Sequence, residues 1–219
     1  GVFCGGNGWS LESGAIYSNG GIGLVVDRVR GGPQMLDVRR IEFDGNKGAH
    51  VWLKEISSAK FEHCRFISHH YPADKAHRPD VGLVIGNTPA TRTVTGVEVK
   101  GCHFRVPDGP ADGYSAIKFG APGGYRRIEI LDPAWIVRAA HHRLLDADPD
   151  PAANVVVRID GATILANRTP RAWTIFEVAS PRKLAPRTIH EIIFERVQGD
   201  LAGGATAQRV VHLRTAKGS

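Results

Sequence analysis

Residues 61–66 read Phe61-Glu62-His63-Cys64-Arg65-Phe66, and residues 99–104 read Val99-Lys100-Gly101-Cys102-His103-Phe104. Laid one on the other, they set Cys on Cys and Phe on Phe. Each is the tail of a longer alternation that begins Ala59-Lys60-Phe61-Glu62 or Val97-Glu98-Val99-Lys100. The same texture recurs at Ile41-Glu42-Phe43-Asp44, Ile128-Glu129-Ile130-Leu131, Val157-Arg158-Ile159-Asp160 and Ile192-Ile193-Phe194-Glu195. All six units are apolar at their first and third positions. Five carry a charge at the second position and five at the fourth. That period of two describes a strand with one buried face and one wet face. In the units starting at 128 and 157, Pro133 and Trp135, then Ala162 and Ile164, stand where Cys and Phe stood.

A second set of short β-rich runs lies between these units: His50–Leu53, Val81–Ile85, Ser115–Phe119, Trp173–Val178 and Arg209–Leu213. Gly, Asn, Asp and Pro punctuate the intervals. The units start at residues 41, 59, 97, 128, 157 and 192, an irregular spacing that excludes fixed-period ankyrin or leucine-rich repeats. Two or three short strands per unit, freely varying loops and scarcely any helical period predict an all-β chain. The architecture expected is a right-handed parallel β-helix in which each coil pairs in register with the next. Phe61 then stacks on Val99, Cys64 on Cys102 and Phe66 on Phe104, all facing inward. Outside, Lys60 falls between Glu42 and Glu98. A sandwich would need antiparallel hairpins; Asn19-Gly20 and Asp160-Gly161 offer tight turns, but the second lies inside a strand-bearing unit. The segment 132–145 has two readings. Asp132 as N-cap and Pro133 at the first helical position suit a short helix, while Trp135–Val137 equally continues the β pattern.

The chain has 219 residues with 42% hydrophobic and 23% charged, enough for one large domain and not a disordered composition. Residues 1–17 read as an irregular lead-in and 18–213 as the coils of a single domain. The abrupt opening GVFCGGNGWS suggests a fragment of a longer protein. A net charge of +6 is spread along the chain, which favours anionic partners mildly and gives no nucleic-acid footprint. No apolar run approaches a membrane span. Cys4, Cys64 and Cys102 lack ligand spacing, so neither metal nor cofactor is expected and buried thiols are the plain reading. No Walker loop, nucleophile elbow, HExxH helix or CxxC pair appears. Gly20-Gly21-Ile22-Gly23 leads into a strand and not a helix, which excludes a dinucleotide fingerprint.

The densest chemistry sits in two loops. Residues 69–80 hold Tyr71, Asp74, His77, Arg78 and Asp80; the other loop region holds His103, Arg105, Asp108 and Asp112. If both leave the same side of adjacent coils, they wall a groove suited to a glycan, with Tyr71 as a stacking surface. Acid/base cleavage of a sugar bond needs two carboxyl groups about 5–9 Å apart. Asp74 or Asp80 from one loop and Asp108 or Asp112 from the other are the candidates. His77, Arg78, His103 and Arg105 would orient the chain and hold anionic groups. Glu98 beside Glu129 and Asp160 beside Glu195 are the next carboxylate pairs, more simply read as part of a solvated, charged face.

In these units the sequence resembles the pectate-lyase superfamily of right-handed β-helices, and most of all the bodies of phage tailspikes and related polysaccharide-active proteins. The likeness is one of repeat texture over residues 18–213. It implies a glycan held along one face or between subunits, a homotrimer, and a place in a virion tail or outside the cell. It implies recognition of a polysaccharide, with or without cleavage as hydrolase or lyase; a structural shaft or adhesin module is the alternative. The polygalacturonase Asn-Thr-Asp, Asp-Asp and Gly-His-Gly series is not found, and Asn87-Thr88 is followed by Pro89.

Overall fold

The computed structural model describes residues 1–27, 35–46, 48–68, 79–86, 93–105, 115–120, 124–125, 128–132 and 134–137. Beyond these it describes strands at 143–147, 155–160, 163–166, 174–178, 189–195, 198–201, 205–206 and 213–214. The backbone alone is described at 79, 80, 93, 119, 120, 124, 125 and from 135 onward. The described residues are all-β, in strands that are parallel but for two short antiparallel pairs and that the chain visits in a recurring order.

One sheet has seven strands: β1 (Val2–Cys4), β3 (Leu24–Val26), β5 (Gly48–Leu53), β8 (Pro79–Gly86), β12 (Ser115–Gly120), β16 (Arg143–Ala147) and β19 (Thr174–Val178), adjacent in that order. The other sheet has two arms. Arm one holds β6 (Ser58–Glu62), β10 (Val97–Lys100), β14 (Ile128–Leu131), β17 (Val155–Asp160) and β20 (Ile189–Glu195). Arm two holds β7 (Arg65–Ile67), β11 (His103–Arg105), β15 (Ala134–Val137), β18 (Thr163–Ala166) and β21 (Gln198–Leu201). The long strands β2 (Trp9–Tyr17) and β4 (Met35–Asp44) lie along each other and run through both arms. A two-residue pair, β9 (Thr93–Val94) with β13 (Gly124–Tyr125), stands apart. At the last described repeats, β22 (Ala205–Thr206) and β23 (Leu213–Arg214) pair antiparallel with β21 and β20.

The bend between the arms has one cause, repeated. Ser13, Arg40, His63, Gly101 and Asp132 all have positive φ, from 48° to 58°, and the flanking register sets them side by side. A left-handed residue turns the chain, at a cost of roughly 1–2 kcal/mol for anything but Gly. Main-chain bonds on either side carry the ladder through the bend: His63 N donates to Lys100 O and Gly101 N to Leu131 O, each at 2.9 Å. Gly101 is also where the His63 ring comes closest, 2.6 Å from a would-be Cβ.

The inward side chains of both sheets make one core. Leu24, Val51, Leu83 and Ile117 come from the seven-stranded sheet, Val38, Phe61, Val99 and Ile130 from arm one, and Phe43, Phe66 and Phe104 from arm two. Phe66 lies between its neighbours, 5.1 Å from Phe43 and 4.7 Å from Phe104, with rings nearly parallel. Phe61 pairs in register with Val99. Cys64 and Cys102 are fully buried and free, with Cys64 Sγ donating to Val38 O and Cys102 Sγ to Phe61 O. The hydrogen bond to Cys64 and then burial push the Cys102 thiol far up, so it is a packed apolar group and no nucleophile.

A buried polar chain closes the corner between arm two and the seven-stranded sheet. Asn46 Oδ1 accepts from Asn19 Nδ2 at 2.6 Å, and Asn46 Nδ2 donates to Ile16 O at 2.8 Å. With the amide so oriented, His50 Nδ1 accepts from Asn46, and His50 Nε2 donates to Ser68 Oγ at 3.2 Å. Gly23 leaves the space for Asn46, whose Nδ2 would sit 2.7 Å from a Cβ there.

Several expectations change. Where residues 132–145 are described, Asp132 is a bend and the rest are strand, β15 and the start of β16; the β-branched and aromatic Trp135, Ile136 and Val137 pair with Phe104 and Arg105 on one side and Ile164, Leu165 and Ala166 on the other. Residues 1–17, read as a lead-in, contain β1 and β2, which pair in register with β3 and β4. Lys60 lies between Asp37 and Glu98 and not beside Glu42, because β4 is one arm longer than its unit suggested. Leu213 pairs antiparallel with Ile192, while the rest of the run at 209–212 lies outside the described residues.

Candidate functional site

The outward positions of arm two bring together polar and aromatic side chains that could meet a ligand. One column runs Ala15, Glu42, Arg65, His103, Ala134 and the next runs Tyr17, Asp44, Ile67, Arg105, Ile136. Alternation on short strands places Glu42, Arg65 and His103 facing out beside the inward Phe43, Phe66 and Phe104, while Ile67 in the second column is buried. Tyr17 is 66% exposed. Arg65 Nη1 holds Glu42 Oε2 at 2.8 Å. His103 is exposed, and Arg105 is half-buried with its Nε shut off from solvent and meeting no acceptor. Glu42 and Asp44, two apart on one strand and on one side, have backbones about 6.6 Å apart from the strand rise. Such a surface offers an aromatic face, two guanidinium groups, an imidazole and two carboxylates within four neighbouring strands.

Of the residues expected from sequence, His103 and Arg105 are on this surface. Asp80 is the second residue of β8, and its side chain lies outside the described residues, as do Tyr71, Asp74, His77, Arg78, Asp108 and Asp112 altogether. The strand ends that lead into those two stretches are adjacent: Ile67 pairs with Arg105, and Ser68 N donates to Arg105 O at 2.9 Å. Tyr17 was missed because it fell in the supposed lead-in. Glu42 was assigned the wrong neighbour; the signal that corrects it is the constant interval of five from Val38 to Phe43, Phe61 to Phe66 and Val99 to Phe104.

Arm one is a charged lattice. Lys60 Nζ lies 3.5 Å from Glu62 and 3.7 Å from Glu98, and Arg39 bridges Asp37 at 2.6 Å and Glu62 at 3.8 Å. Arg40 pairs with Glu12. Glu98 does stand opposite Glu129, and Asp160 opposite Glu195, but Lys60 already offsets Glu98. Among the described residues no group of three or more His, Cys, Asp or Glu is arranged to hold a metal ion, and no helix is long and apolar enough to cross a membrane. No family model matches the chain, and neither a curated protein nor a solved structure matches it.

Proposed function

We propose that the chain winds as a right-handed parallel β-helix of the pectate-lyase-like kind and recognises a polysaccharide on the outward surface of arm two. The observation that carries this reading is the register. Every described repeat from β4 to β19 returns to the same three strand positions, and β20 and β21 to two of them, so outward residues fall in columns and form an elongated surface for a chain-like ligand. Tyr17 supplies a stacking face, and Arg65, His103 and Arg105 supply donors for hydroxyl and carboxylate groups. Tyr71, His77 and Arg78, which follow β7 in the sequence, are the further candidates for ligand contact. A tailspike-like homo-oligomer in a virion tail or outside the cell suits such a module.

Cleavage, where it occurs, is acid/base work by paired carboxylates: Asp74 or Asp80 with Asp108 or Asp112, or Glu42 with Asp44, two apart on one strand. The second reading is a non-catalytic shaft. The observation favouring it is that Arg65 and Glu42 satisfy each other, as ion pairs on an inert face do. A glycan array combined with reducing-end and unsaturated-product assays separates the readings. Binding weakened at least tenfold by Arg65→Ala or Tyr17→Ala, with the fold intact by circular dichroism, supports recognition. Product lost in Glu42→Gln or Asp108→Asn adds catalysis. No binding to any glycan on the array sinks the recognition reading and leaves the shaft.

A further inference from the structure

The chain has three cysteines, and two of them meet. Glu62 pairs with Lys100 and Arg65 with His103, so equal intervals set Cys64 opposite Cys102 at the bend between the arms. His103 N donates to Cys64 O at 2.9 Å, which fixes that level of the ladder. The two side chains are fully buried and near enough to share a hydrogen bond. On the other side of Cys64 the same position is filled by Ile41 of β4, so packing at this bend does not require a thiol. The third cysteine, Cys4, stands on β1 opposite Val26, in the seven-stranded sheet.

The ladder spacing suits a covalent bond between the two. Disulfides join residues whose Cα atoms lie about 4.4–6.8 Å apart, and neighbouring strands stand ~4.8 Å apart. Cys102 Sγ already leans toward the level of its partner, 3.6 Å from Phe61 O. Cys64 Sγ lies 3.5 Å from Val38 O, on the side of β4. Bridging requires Cys64 to release that carbonyl and turn about χ1 toward Cys102, a small loss because a thiol is a weak donor. The bond would close a ring of chain from residue 64 to residue 102. That ring contains β7, β8, β9 and β10 and, in sequence, Tyr71, Asp74, His77, Arg78 and Asp80. Closing so long a loop removes conformations from the unfolded chain and stabilises the repeats that carry it. Burial also decides when the bond can form. Hydrogen-bonded to Cys64 and shut from water, the Cys102 thiol is pushed far up, whereas the attacking species in exchange is the thiolate. Exchange therefore belongs to folding, before β10 and β11 pair with β6 and β7. After that the core shields thiols and disulfide alike.

We propose that Cys64 and Cys102 are a disulfide site joining two successive repeats, oxidised when the chain folds in the presence of a small-molecule disulfide and sealed once those repeats have paired. The proposal rests on the ladder and does not depend on glycan recognition. With oxidised glutathione, the Cys64 thiolate attacks the glutathione disulfide and one glutathione thiolate leaves. The Cys102 thiolate then attacks the Cys64 sulfur of the mixed disulfide, and the second glutathione leaves. Two protein thiols are oxidised and one glutathione disulfide is reduced to two thiols. The test is refolding of the full chain from urea, once with oxidised and reduced glutathione and once with dithiothreitol, followed by alkylation and trypsin. Trypsin cuts after Lys60, Arg65, Lys100 and Arg105, so peptides 61–65 and 101–105 should emerge linked, and from the glutathione sample alone. The linked protein should have a urea midpoint about 1 M above that of the reduced one. Reduced protein that is already folded should link roughly tenfold or more slowly than refolding chain in the same glutathione buffer. Export of the chain to a bacterial periplasm, against retention in the cytosol, gives the same peptide comparison where refolding fails. No linked pair by either route, a link to Cys4 in its place, or a midpoint that does not rise would overturn the proposal. So would folded thiols that oxidise as fast as refolding ones, since the pair would then be open to solvent and not sealed.

Discussion

Asp37 shows how single side chains tune the outer lattice. Its carboxylate accepts from Arg39 Nε at 2.9 Å and Nη2 at 2.6 Å, and that hydrogen-bonded pair holds its pKa below the usual carboxylate value. A carboxyl group whose folded pKa is depressed adds stability above its unfolded value, near ~3.9. That contribution disappears as pH falls through the folded value. The pair is open to solvent, so the effect is small. Asp37→Asn should lower the urea midpoint modestly at pH 7, and by less at a pH below the usual carboxylate range that is low enough to protonate Asp37 in the folded protein. An equal gap at both pH values would show that Asp37 acts through packing and not through its charge. The left-handed column is the other device at this scale. Gly101 adopts that conformation freely, whereas Ser13, Arg40, His63 and Asp132 are held in it by the ladder on both sides.

Among the elements, arm two depends on its aromatic stack. Phe66 is fully buried between Phe43 and Phe104, so Phe66→Ala removes the middle ring of three and leaves a hole that rigid strands on both sides cannot close. The expected loss is about 3–5 kcal/mol, against less than about 1.5 kcal/mol for Phe66→Leu, measured by denaturant unfolding. Losses of equal size would mean that the ring geometry, and not its volume, is what matters. This stack was legible in the sequence, since Phe66 and Phe104 align by eye. The extent of β4 was not. Its bend falls at Arg39-Arg40-Ile41, where no Gly, Pro or Asn signals a positive φ, so Ile41-Phe43 looked like the partner of Ala59-Phe61. The pairing in fact joins Leu36 and Val38 to Ala59 and Phe61. Half of the surface on arm two shared that fate. His103 and Arg105 were found because they alternate with a visible Phe, whereas Tyr17 sat before the first repeat that composition could reveal, and Glu42 inherited the error in β4.

For the molecule as a whole, parallel in-register pairing makes protection depend on position along the repeats. Among the described strands β2 pairs only with β4, and nearly all its residues are exposed. β6 and β10 have partners on both sides and a buried inner face. Native-state hydrogen exchange should therefore be fastest in β2 and slowest in β6, β10 and β5, with differences of several orders of magnitude. Uniform protection would indicate that the described repeats open as a single unit. The fixed interval of five between the inward columns of the two arms has a different consequence, for how such a chain can change its length. It recurs from Leu11 and Ile16 to Phe194 and Gly199, although the distance from one unit to the next varies widely. A duplicated or deleted segment such as 59–96 would therefore splice one ladder onto another without disturbing either, and the fold would lengthen or shorten like a ruler graduated in single strand spacings.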